Sequence, residues 1–221
     1  MIEAKSEIQL TSDGSATIYL PDIDEHYHSV KGAFAESRHV YVECGLRHRM
    51  SLTSNAVTTV LEVGFGTGLN CALSVPCATE NAPVRYVGLE LHPLSESVAG
   101  QLHYEDCAPF YRAVNSALWD VAEDITPWFR LEKRRTDFLK CELPQGVDVV
   151  YFDAFAPEKQ PEMWSQECFA RVFDAMNDGG VLVTYCAKGV VRRMLQSVGF
   201  VVERLAGPVG GKREILRCTK P

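Results

Sequence analysis

The stretch VLEVGFGTGLN, Val60 to Asn70, decides the fold of this chain. A short apolar run, interrupted by the single acid Glu62, leads into glycines at Gly64, Gly66 and Gly68, and the following CALSV can begin a helix. Glycine lets the backbone turn sharply and lets a ligand approach without a Cβ in the way. The stretch therefore predicts a buried strand, a glycine loop and a helix, an arrangement typical of a site for a nucleotide-like ligand. The alternative is a buried strand with a flexible turn.

The glycine spacing and the acid before it limit the class of ligand that the loop could bind. The loop reads G-x-G-x-G, whereas the dinucleotide fingerprint reads G-x-G-x-x-G, so a NAD-dependent dehydrogenase is disfavoured. Glu62 would repel a phosphate on the loop but not a cationic, phosphate-free nucleoside. S-adenosylmethionine (SAM), which carries a sulfonium and an amino group, is such a ligand. The residues expected to bind this cofactor here are Glu62, Gly64, Phe65, Gly66, Gly68, Leu69 and Asn70.

From Thr59 onward strands and helices alternate, which is typical of a mostly parallel sheet with helices on both faces. The sequence GPVGG between the last two strands allows a hairpin, so the sheet should end in an antiparallel pair. The segment from Glu105 to Phe129 is predicted to be helical, with Trp119 and Trp128 packing in or over the core. The seven predicted strands are Thr59–Val63, Val84–Leu89, Leu131–Arg135, Val147–Phe152, Val181–Cys186, Phe200–Leu205 and Glu214–Cys218.

The N-terminal segment has a different pattern. Apolar residues alternate on both sides of Asp13-Gly14 between Ile8 and Leu20, which predicts a β-hairpin. Val30 to Leu46 shows helical spacing, with Gly45 as a plausible C-terminal stop. We therefore expect residues 1–50 to form a small hairpin and helix extension packed on a main domain of residues 51–221.

Acidic residues stand at the ends of three predicted strands, where open α/β sheets bind their ligands. Glu90 lies about 20 residues beyond the glycine loop and can accept both hydroxyls of a ribose. Asp137 could accept the exocyclic amine of adenine, with Phe138 against the ring. Asp153 follows a fully apolar strand and lies where a reacting centre would be. The alternative roles are a surface acid for Glu90, a turn residue for Asp137 and a helix cap for Asp153.

Composition limits the class of protein. The 221 residues are 46% hydrophobic and 23% charged, as in a globular protein, and the net charge of −7 argues against broad, non-specific nucleic-acid binding. No apolar run approaches the roughly 20 residues of a membrane span, and the polar N-terminus MIEAKSEIQL shows no signal peptide. Eight scattered cysteines without a C-x-x-C pair indicate reduced thiols rather than disulfides or a metal site. We therefore expect a cytoplasmic protein that uses neither a metal nor a membrane.

The strand ends together resemble those of class I SAM-dependent methyltransferases, and longer stretches resemble the methyltransferase part of the bacterial bifunctional MnmC family. The likeness runs from about Asp13 to Arg217 and implies a Rossmann-like α/β fold with SAM as cofactor. It also implies a stand-alone methyltransferase, since 221 residues leave no room for the flavin-dependent oxidase domain of that family. The stretches are DGSATIYLPDIDEHYHSVKGAFAESRHVYVECGL, VLEVGFGTGLN, VVYFDAFAPEKQPEMW and CAKGVVRRMLQSVGFVVERLAGPVGGKREIL.

The resemblance implies methylation of 5-aminomethyl-2-thiouridine at the tRNA wobble position, giving 5-methylaminomethyl-2-thiouridine. It makes tRNA the partner, with upstream tRNA-modifying enzymes supplying the aminomethyl intermediate. It places Asp153 beside the amine and the methyl donor as the catalytic residue, and it places Tyr27, His28, Ser29 and Glu36 at the border of the cofactor pocket. The residues expected to contact the substrate are Phe155, Lys159 and Trp164 in the loop after Asp153, with Arg192, Arg193, Lys212 and Arg213 on its phosphates.

Two other functions remain open at this point. An aminopropyltransferase of the spermidine synthase kind shares the fold and an acidic pocket, and it would use decarboxylated SAM and a polyamine. The DAFAPEKQPEMW loop and the terminal GGKRE count against it. A non-catalytic RNA-binding scaffold could keep the same fold, but it would have little physical need for Glu62, Glu90 and Asp153 together.

Overall fold

The computed structural model describes residues 6–53 and 56–221. Residues 1–5, on which the expectation of no signal peptide partly rests, lie outside the described residues. The N-terminal segment forms a three-stranded antiparallel sheet of β1 (Glu7–Leu10), β2 (Ala16–Leu20) and β3 (Glu25–His26). The β1–β2 turn is the predicted hairpin, in which the Asp13 carboxylate accepts hydrogen bonds from the Thr11 hydroxyl and the Ser15 amide.

A continuous helical segment follows this sheet and covers the central sheet. It runs through α1 (Ala33–Glu36), eleven residues of wider π-helical turns (Ser37–Arg47) and α2 (His48–Ser51). The prediction that Gly45 ends the helix is therefore wrong. A Cβ at Gly45 would lie 2.8 Å from Val183 Cγ2 and 3.2 Å from Tyr151 Cε1 of the central sheet. Glycine is needed here for the close approach of helix and sheet.

The central sheet has eight strands rather than the seven predicted. They are β4 (Thr58–Val63), β5 (Val84–Glu90), β6 (Ala122–Thr126), β7 (Phe129–Arg135), β8 (Val147–Phe152), β9 (Met176–Thr184), β10 (Val201–Ala206) and β11 (Glu214–Thr219). Their order is β10-β11-β9-β8-β4-β5-β7-β6. The strands β7, β5, β4, β8 and β9 are parallel, and the C-terminal β10–β11 hairpin is antiparallel, as predicted.

The additional strand β6 corrects the prediction of a helix from Glu105 to Phe129. Only a 3₁₀ turn (Glu105–Cys107) and helix Ala108–Ser116 form there, and Asp120, with a φ of 63°, turns the chain into β6. Trp119 packs edge-on against Phe65, with ring centroids 5.6 Å apart, as expected of a core residue. Trp128 is 40% exposed, so the prediction that it packs with the core is wrong.

The remaining helices connect the parallel strands and cover both faces of the sheet. In chain order the helices after α2 are α3 (Leu69–Ser74), α4 (Glu96–Ala99), α5 (Ala108–Ser116), α6 (Gln166–Ala175) and α7 (Gly189–Val198). One apolar cluster joins the N-terminal segment to the main sheet, because it contains Ile18 and Val40 together with Val60 and Val183. Within the described residues, all eight cysteines are free thiols, and no helix is both long and apolar enough to cross a membrane.

The strand order places a crevice at the carboxyl ends of β4 and β8. The strands β5, β6 and β7 all lie on one side of β4. The chain then returns to the other side of β4 to form β8 and β9. Connections that leave two adjacent parallel strands in opposite directions open a crevice between their ends, where α/β sheets bind ligands. The glycine loop follows β4, and Asp153 follows β8.

Candidate active site

A cavity of about 380 Å³ lies in this crevice, between the strand ends of the central sheet and the N-terminal segment. Its volume is in the usual range for a small-molecule site. It gathers residues that are far apart in sequence but were predicted for one site. Those that line it are Tyr27, His28, Ser29, Glu36, Gly64, Phe65, Gly66, Leu69, Asn70, Glu90, Asp137, Phe138, Asp153, Phe155 and Lys212.

The glycine loop brings the strand ends together. Gly64 has a φ of 87°, and a Cβ there would lie 2.6 Å from the Asp153 carbonyl oxygen. Gly66 has a φ of 52°, and a Cβ there would lie 3.1 Å from Tyr27 Cδ1. Both positions therefore need glycine for backbone conformation and for space. The loop forms a cradle that side chains would fill, which fits the close approach of a nucleoside cofactor.

Two acids that line the cavity follow β5 and β7. Glu90, at the end of β5, accepts hydrogen bonds from the Gly66 amide at 3.0 Å and the His92 amide at 2.9 Å. These bonds fix its carboxylate at the cavity, where it can accept ribose hydroxyls. Asp137 accepts from the Leu139 amide and pairs with Lys140 at 3.0 Å, and the Lys140 and Leu139 hydrogen bonds hold the pKa of Asp137 below its ordinary value.

Asp153 lies at the inner wall of the cavity and is held by two side chains. Its Oδ1 accepts a hydrogen bond from the Tyr41 hydroxyl at 2.5 Å, and its Oδ2 accepts from Asn70 Nδ2 at 2.8 Å. Burial raises the pKa of Asp153 to about 7, against the lowering effect of the Tyr41 and Asn70 bonds and with a further rise from nearby Glu36. A carboxyl group with this pKa can accept or release a proton near neutral pH.

The opposite wall joins the N-terminal segment to the C-terminal hairpin. Glu36 is almost fully buried, and its Oε1 pairs with Lys212 Nζ at 2.7 Å. The same ammonium lies 3.7 Å from the centre of the Tyr185 ring, in a cation–π contact. Burial lowers the pKa of His28 to about 4, so this histidine is neutral at neutral pH, and its Nε2 lies 2.8 Å from the Thr67 hydroxyl.

Phe155 and Tyr27 form the aromatic part of the wall. Their rings meet edge to face, with centroids 5.2 Å apart. Trp164 was predicted to contact the substrate, but it is buried and packs on Phe152 of the core. Its indole Nε1 donates to the Phe155 carbonyl at 2.7 Å. Trp164 therefore fixes the loop that carries Phe155 and does not line the cavity.

Two residues predicted to bind the cofactor lie outside the cavity lining. Glu62 is fully buried in β4, where it accepts hydrogen bonds from Asn70 Nδ2 and the Tyr86 hydroxyl, each at 2.8 Å. Burial raises the pKa of Glu62 well above its ordinary value. Gly68 precedes α3 with a left-handed φ of 80°, and a Cβ there would lie 3.0 Å from Phe65 Cε1. Both residues act on the shape of the loop rather than on the lining.

The predicted basic residues divide into two groups. Lys212 faces the cavity and pairs with Glu36, so the structure does not place it for a phosphate contact. Lys159 lies in the loop after β8, outside the cavity lining, and pairs with Asp24 at 3.6 Å. Arg192, Arg193 and Arg213 are outside the cavity lining; Arg193 and Arg213 are exposed and Arg192 is half-buried.

Sequence reasoning missed several residues of the site. Tyr41 lies within the helix predicted for Val30 to Leu46 and received no role, yet its hydroxyl donates to Asp153. Tyr185, Thr67 and Gln160 are among the lining residues that were not predicted. Gln160 had a signal in its position within the DAFAPEKQPEMW loop, and its Oε1 accepts from the Phe155 amide at 3.2 Å. Tyr41 and Tyr185 had no such signal, because only the packing of the N-terminal helix and the β9 end brings them to Asp153.

Comparison with known proteins agrees with this geometry. A family model described as "S-adenosyl-L-methionine-dependent methyltransferase" matches residues 135–221. The bifunctional protein MnmC of Pseudomonas syringae pv. syringae, named for tRNA 5-methylaminomethyl-2-thiouridine biosynthesis, is 33% identical over 215 residues. The MnmC of Magnetococcus marinus is 30% identical over 227 residues. These matches cover 90% and 96% of this chain but 32% and 33% of the relatives, so the chain spans about a third of their length.

Comparison with solved structures also shows a likeness to MnmC proteins. The crystal structure of MnmC2 from Aquifex aeolicus superposes with a TM-score of 0.82 at 25% identity, covering 99% of this chain and 71% of that one. Spermidine synthase from Thermotoga maritima superposes with a TM-score of 0.61 at 12% identity, covering 99% and 80%, which shows a shared fold alone. The fold, the glycine cradle and the family match define a class I SAM-dependent methyltransferase domain. Within that class, the chain is an MnmC-like methyltransferase domain.

Proposed function

We propose that this protein transfers the methyl group of SAM to the primary amine of 5-aminomethyl-2-thiouridine at the wobble position of tRNA. The product is 5-methylaminomethyl-2-thiouridine. The proposal is supported by the likeness to proteins named for this biosynthesis and by the position of Asp153 at the cavity. Upstream tRNA-modifying enzymes would supply the aminomethyl intermediate.

The observation that carries this proposal is the state of Asp153. A primary alkylamine is mostly protonated near neutral pH, so the site must bind or produce the free amine before methyl transfer. Asp153 has a pKa of about 7 because it is buried, and Tyr41 and Asn70 fix the orientation of its carboxylate. It can therefore accept the proton of the amine and orient the nitrogen lone pair.

The other lining residues fit the binding of SAM. When bound, the cofactor would supply an electrophilic methyl group on its sulfonium, and the neutral thioether S-adenosylhomocysteine is a good leaving group. Glu90 would hold the ribose hydroxyls, Phe138 would pack on the adenine, and the cradle at Gly64 and Gly66 would let the backbone approach the cofactor. The aromatic wall of Tyr27 and Phe155 would stabilise the positive charge and shape the site for an extruded base.

The tRNA would contact the surface around the cavity mouth. Arg192, Arg193 and Arg213 are our candidates for phosphate contacts, since the structure directs Lys212 inward. A few local contacts can attach tRNA to a chain with a net charge of −7, because affinity depends on the charges within a Debye length of the phosphates.

Two experiments test this function. Purified protein is incubated with labelled SAM and tRNA that carries 5-aminomethyl-2-thiouridine, and nucleoside mass analysis then identifies the product. Asp153→Ala should lose nearly all turnover, and near-wild-type turnover would remove Asp153 from the mechanism. Calorimetric titration with SAM and with decarboxylated SAM separates the alternatives. Tight binding of SAM supports a methyltransferase, preference for decarboxylated SAM an aminopropyltransferase, and no binding a scaffold.

A further inference from the structure

A buried chain of polar side chains runs behind Asp153. The Tyr86 hydroxyl donates to Glu62 Oε2, and Asn70 Nδ2 donates to Glu62 Oε1, each at 2.8 Å. The same Nδ2 donates its second proton to Asp153 Oδ2, also at 2.8 Å. Asn70 thus joins a fully buried acid outside the cavity to the acid that lines it. The proposed function uses Asp153 and its bond to Asn70 but gives no role to Glu62 behind them.

The contacts of the Asn70 amide indicate its orientation. Both of its Nδ2 protons point at carboxyl oxygens, and its Oδ1 is buried without a hydrogen-bond partner within residues 6–53 and 56–221. An unpartnered buried acceptor is unfavourable. A reversed amide would point Oδ1 at Asp153 Oδ2 and would leave the ionised Asp153 carboxylate without the N–H donor of Asn70. Glu62 therefore anchors the amide with its N–H groups toward the cavity acid.

We propose that Asn70, anchored by Glu62, is a positioning residue that fixes the Asp153 carboxylate and favours its ionised form. The proposal rests on the proposed function, since it concerns the acid that would accept the proton of the amine. Asn70 has no need to touch the methyl group or the amine in this role. It sets the direction of Oδ2 and the pH at which that oxygen becomes a proton acceptor.

Other groups act on the same carboxyl, and the experiment must hold them constant. Burial raises the pKa of Asp153, and the Tyr41 hydroxyl and Asn70 are the two side-chain donors that lower it. An N–H bond to a carboxylate favours the charged form, so its loss moves the pKa upward. The titratable and charged groups that face Asp153 or its partner Asn70 are Tyr41, Glu36, Glu62, Glu90, Tyr185 and Lys212.

The test measures the ionisation of Asp153 directly. Full-length protein with ¹³C-labelled aspartate carboxyls is saturated with S-adenosylhomocysteine. The Asp153 signal, assigned with Asp153→Asn, is titrated from about pH 5 to about pH 10, a range that brackets the expected midpoints of the wild type and the variants. In Asn70→Ala the midpoint should rise by about one to two pH units, the effect of one charge-assisted hydrogen bond. Asn70→Ser, which keeps a shorter donor, should give a smaller rise. Thermal unfolding and S-adenosylhomocysteine affinity confirm that each variant is folded.

Ser74→Ala is the matched control. Ser74 is buried in the same helix α3; its hydroxyl donates to the Asn70 backbone carbonyl at 2.8 Å and lies 3.0 Å from the Tyr151 hydroxyl. This variant loses both buried hydrogen bonds but keeps the Asn70 side chain, and it should leave the Asp153 midpoint within about 0.3 pH unit. An unchanged midpoint in Asn70→Ala, or an equal rise in Ser74→Ala, would overturn the proposal.

The inference and the proposed function can fail separately. The carboxyl titration needs neither tRNA nor turnover, so it gives its answer even if the protein methylates another amine. When wild-type protein does methylate the tRNA, the acidic limb of its rate profile should move upward in Asn70→Ala by the same amount as the carboxyl midpoint. If the acidic limb of the pH–rate profile stays in place while the Asp153 carboxyl midpoint rises, Asn70 positions Asp153 but Asp153 is not the proton acceptor.

Discussion

Replacing Asp153 with asparagine should make the protein more stable at about pH 8 and far less active. Burial raises the pKa of this carboxyl from 3.8 to about 7. The folded protein therefore holds a proton that the unfolded chain releases between these two values. The stability that this group contributes is fully present below about pH 4 and is lost as the pH rises through about 7. The side chain in the Asp153→Asn variant would carry no charge at any of these pH values.

The magnitude follows from the size of the rise in pKa. Three pH units correspond to about 4 kcal/mol, which is an upper limit for the ionisation penalty removed at pH 8. The substitution also loses one favourable contact, because the asparagine amide would face one of the two donors, Tyr41 or Asn70, that the carboxylate accepts. A lost hydrogen bond costs about 1–2 kcal/mol. The net gain at pH 8 should be about 2–3 kcal/mol, and at pH 5 the variant should be equal to or less stable than the wild type.

Urea unfolding at about pH 5, 6, 7 and 8 measures this difference, with Asp174→Asn as the control. Asp174 is an exposed aspartate on α6, so its replacement should change stability by less than about 0.5 kcal/mol at every pH. Methyl transfer by Asp153→Asn should fall about 10²–10⁴-fold, the usual contribution of a positioned base. A stability difference that does not vary with pH, or a loss of stability at pH 8, would refute the account of Asp153 as a buried, neutral-range acid.

Three further predictions concern the cradle, the opposite wall and the tRNA surface. Gly64→Ala should weaken S-adenosylhomocysteine binding, measured by calorimetry, and should destabilise the fold by at least about 1–2 kcal/mol, measured by urea unfolding. Both effects are expected because alanine disfavours the positive φ and its Cβ would lie 2.6 Å from the Asp153 carbonyl oxygen. Lys212→Met should destabilise the fold by about 1–3 kcal/mol in urea unfolding, since it leaves Glu36 buried without its cation, and equal stability would contradict that pairing. Loss of cations outside the cavity should lower tRNA affinity and flatten its salt dependence, whereas unchanged affinity in every variant would reject this surface. The variants for this last measurement are Arg192→Ala, Arg193→Ala and Arg213→Ala.

Buried parallel strands were predictable because they leave a strong signal. Val147–Phe152 was predicted with the bounds that the structure shows, since a strand covered on both faces is almost wholly apolar, and this one is interrupted only by Asp148. The sheet edge gave no such signal. The strand β6 has the sequence AEDIT, and no residue in it is fully buried. A half-exposed edge strand therefore looks like the end of the preceding helix.

The direction of individual side chains was the second feature that could not be predicted from the sequence. Gly45 reads as a helix stop, but its lack of a Cβ serves contact with Val183 and Tyr151, which are more than 100 residues away in sequence. Trp164 and Lys212 belong to stretches with the composition of binding loops, yet the first packs inward on the core and the second pairs with Glu36. Local sequence indicates that such residues are near a site, while the long-range packing decides which of them face it.

The correct class of ligand was predicted from Glu62, but for a wrong physical reason. The sequence argument used its charge to exclude phosphate from the glycine loop. In the structure Glu62 is fully buried and lies behind Asn70, outside the cavity lining, so it does not face a ligand on the glycine loop. The acids that line the cavity are Glu25, Glu36, Glu90, Asp137 and Asp153. A cationic nucleoside would meet these acids, and Glu62 acts behind them by holding Asn70 against Asp153.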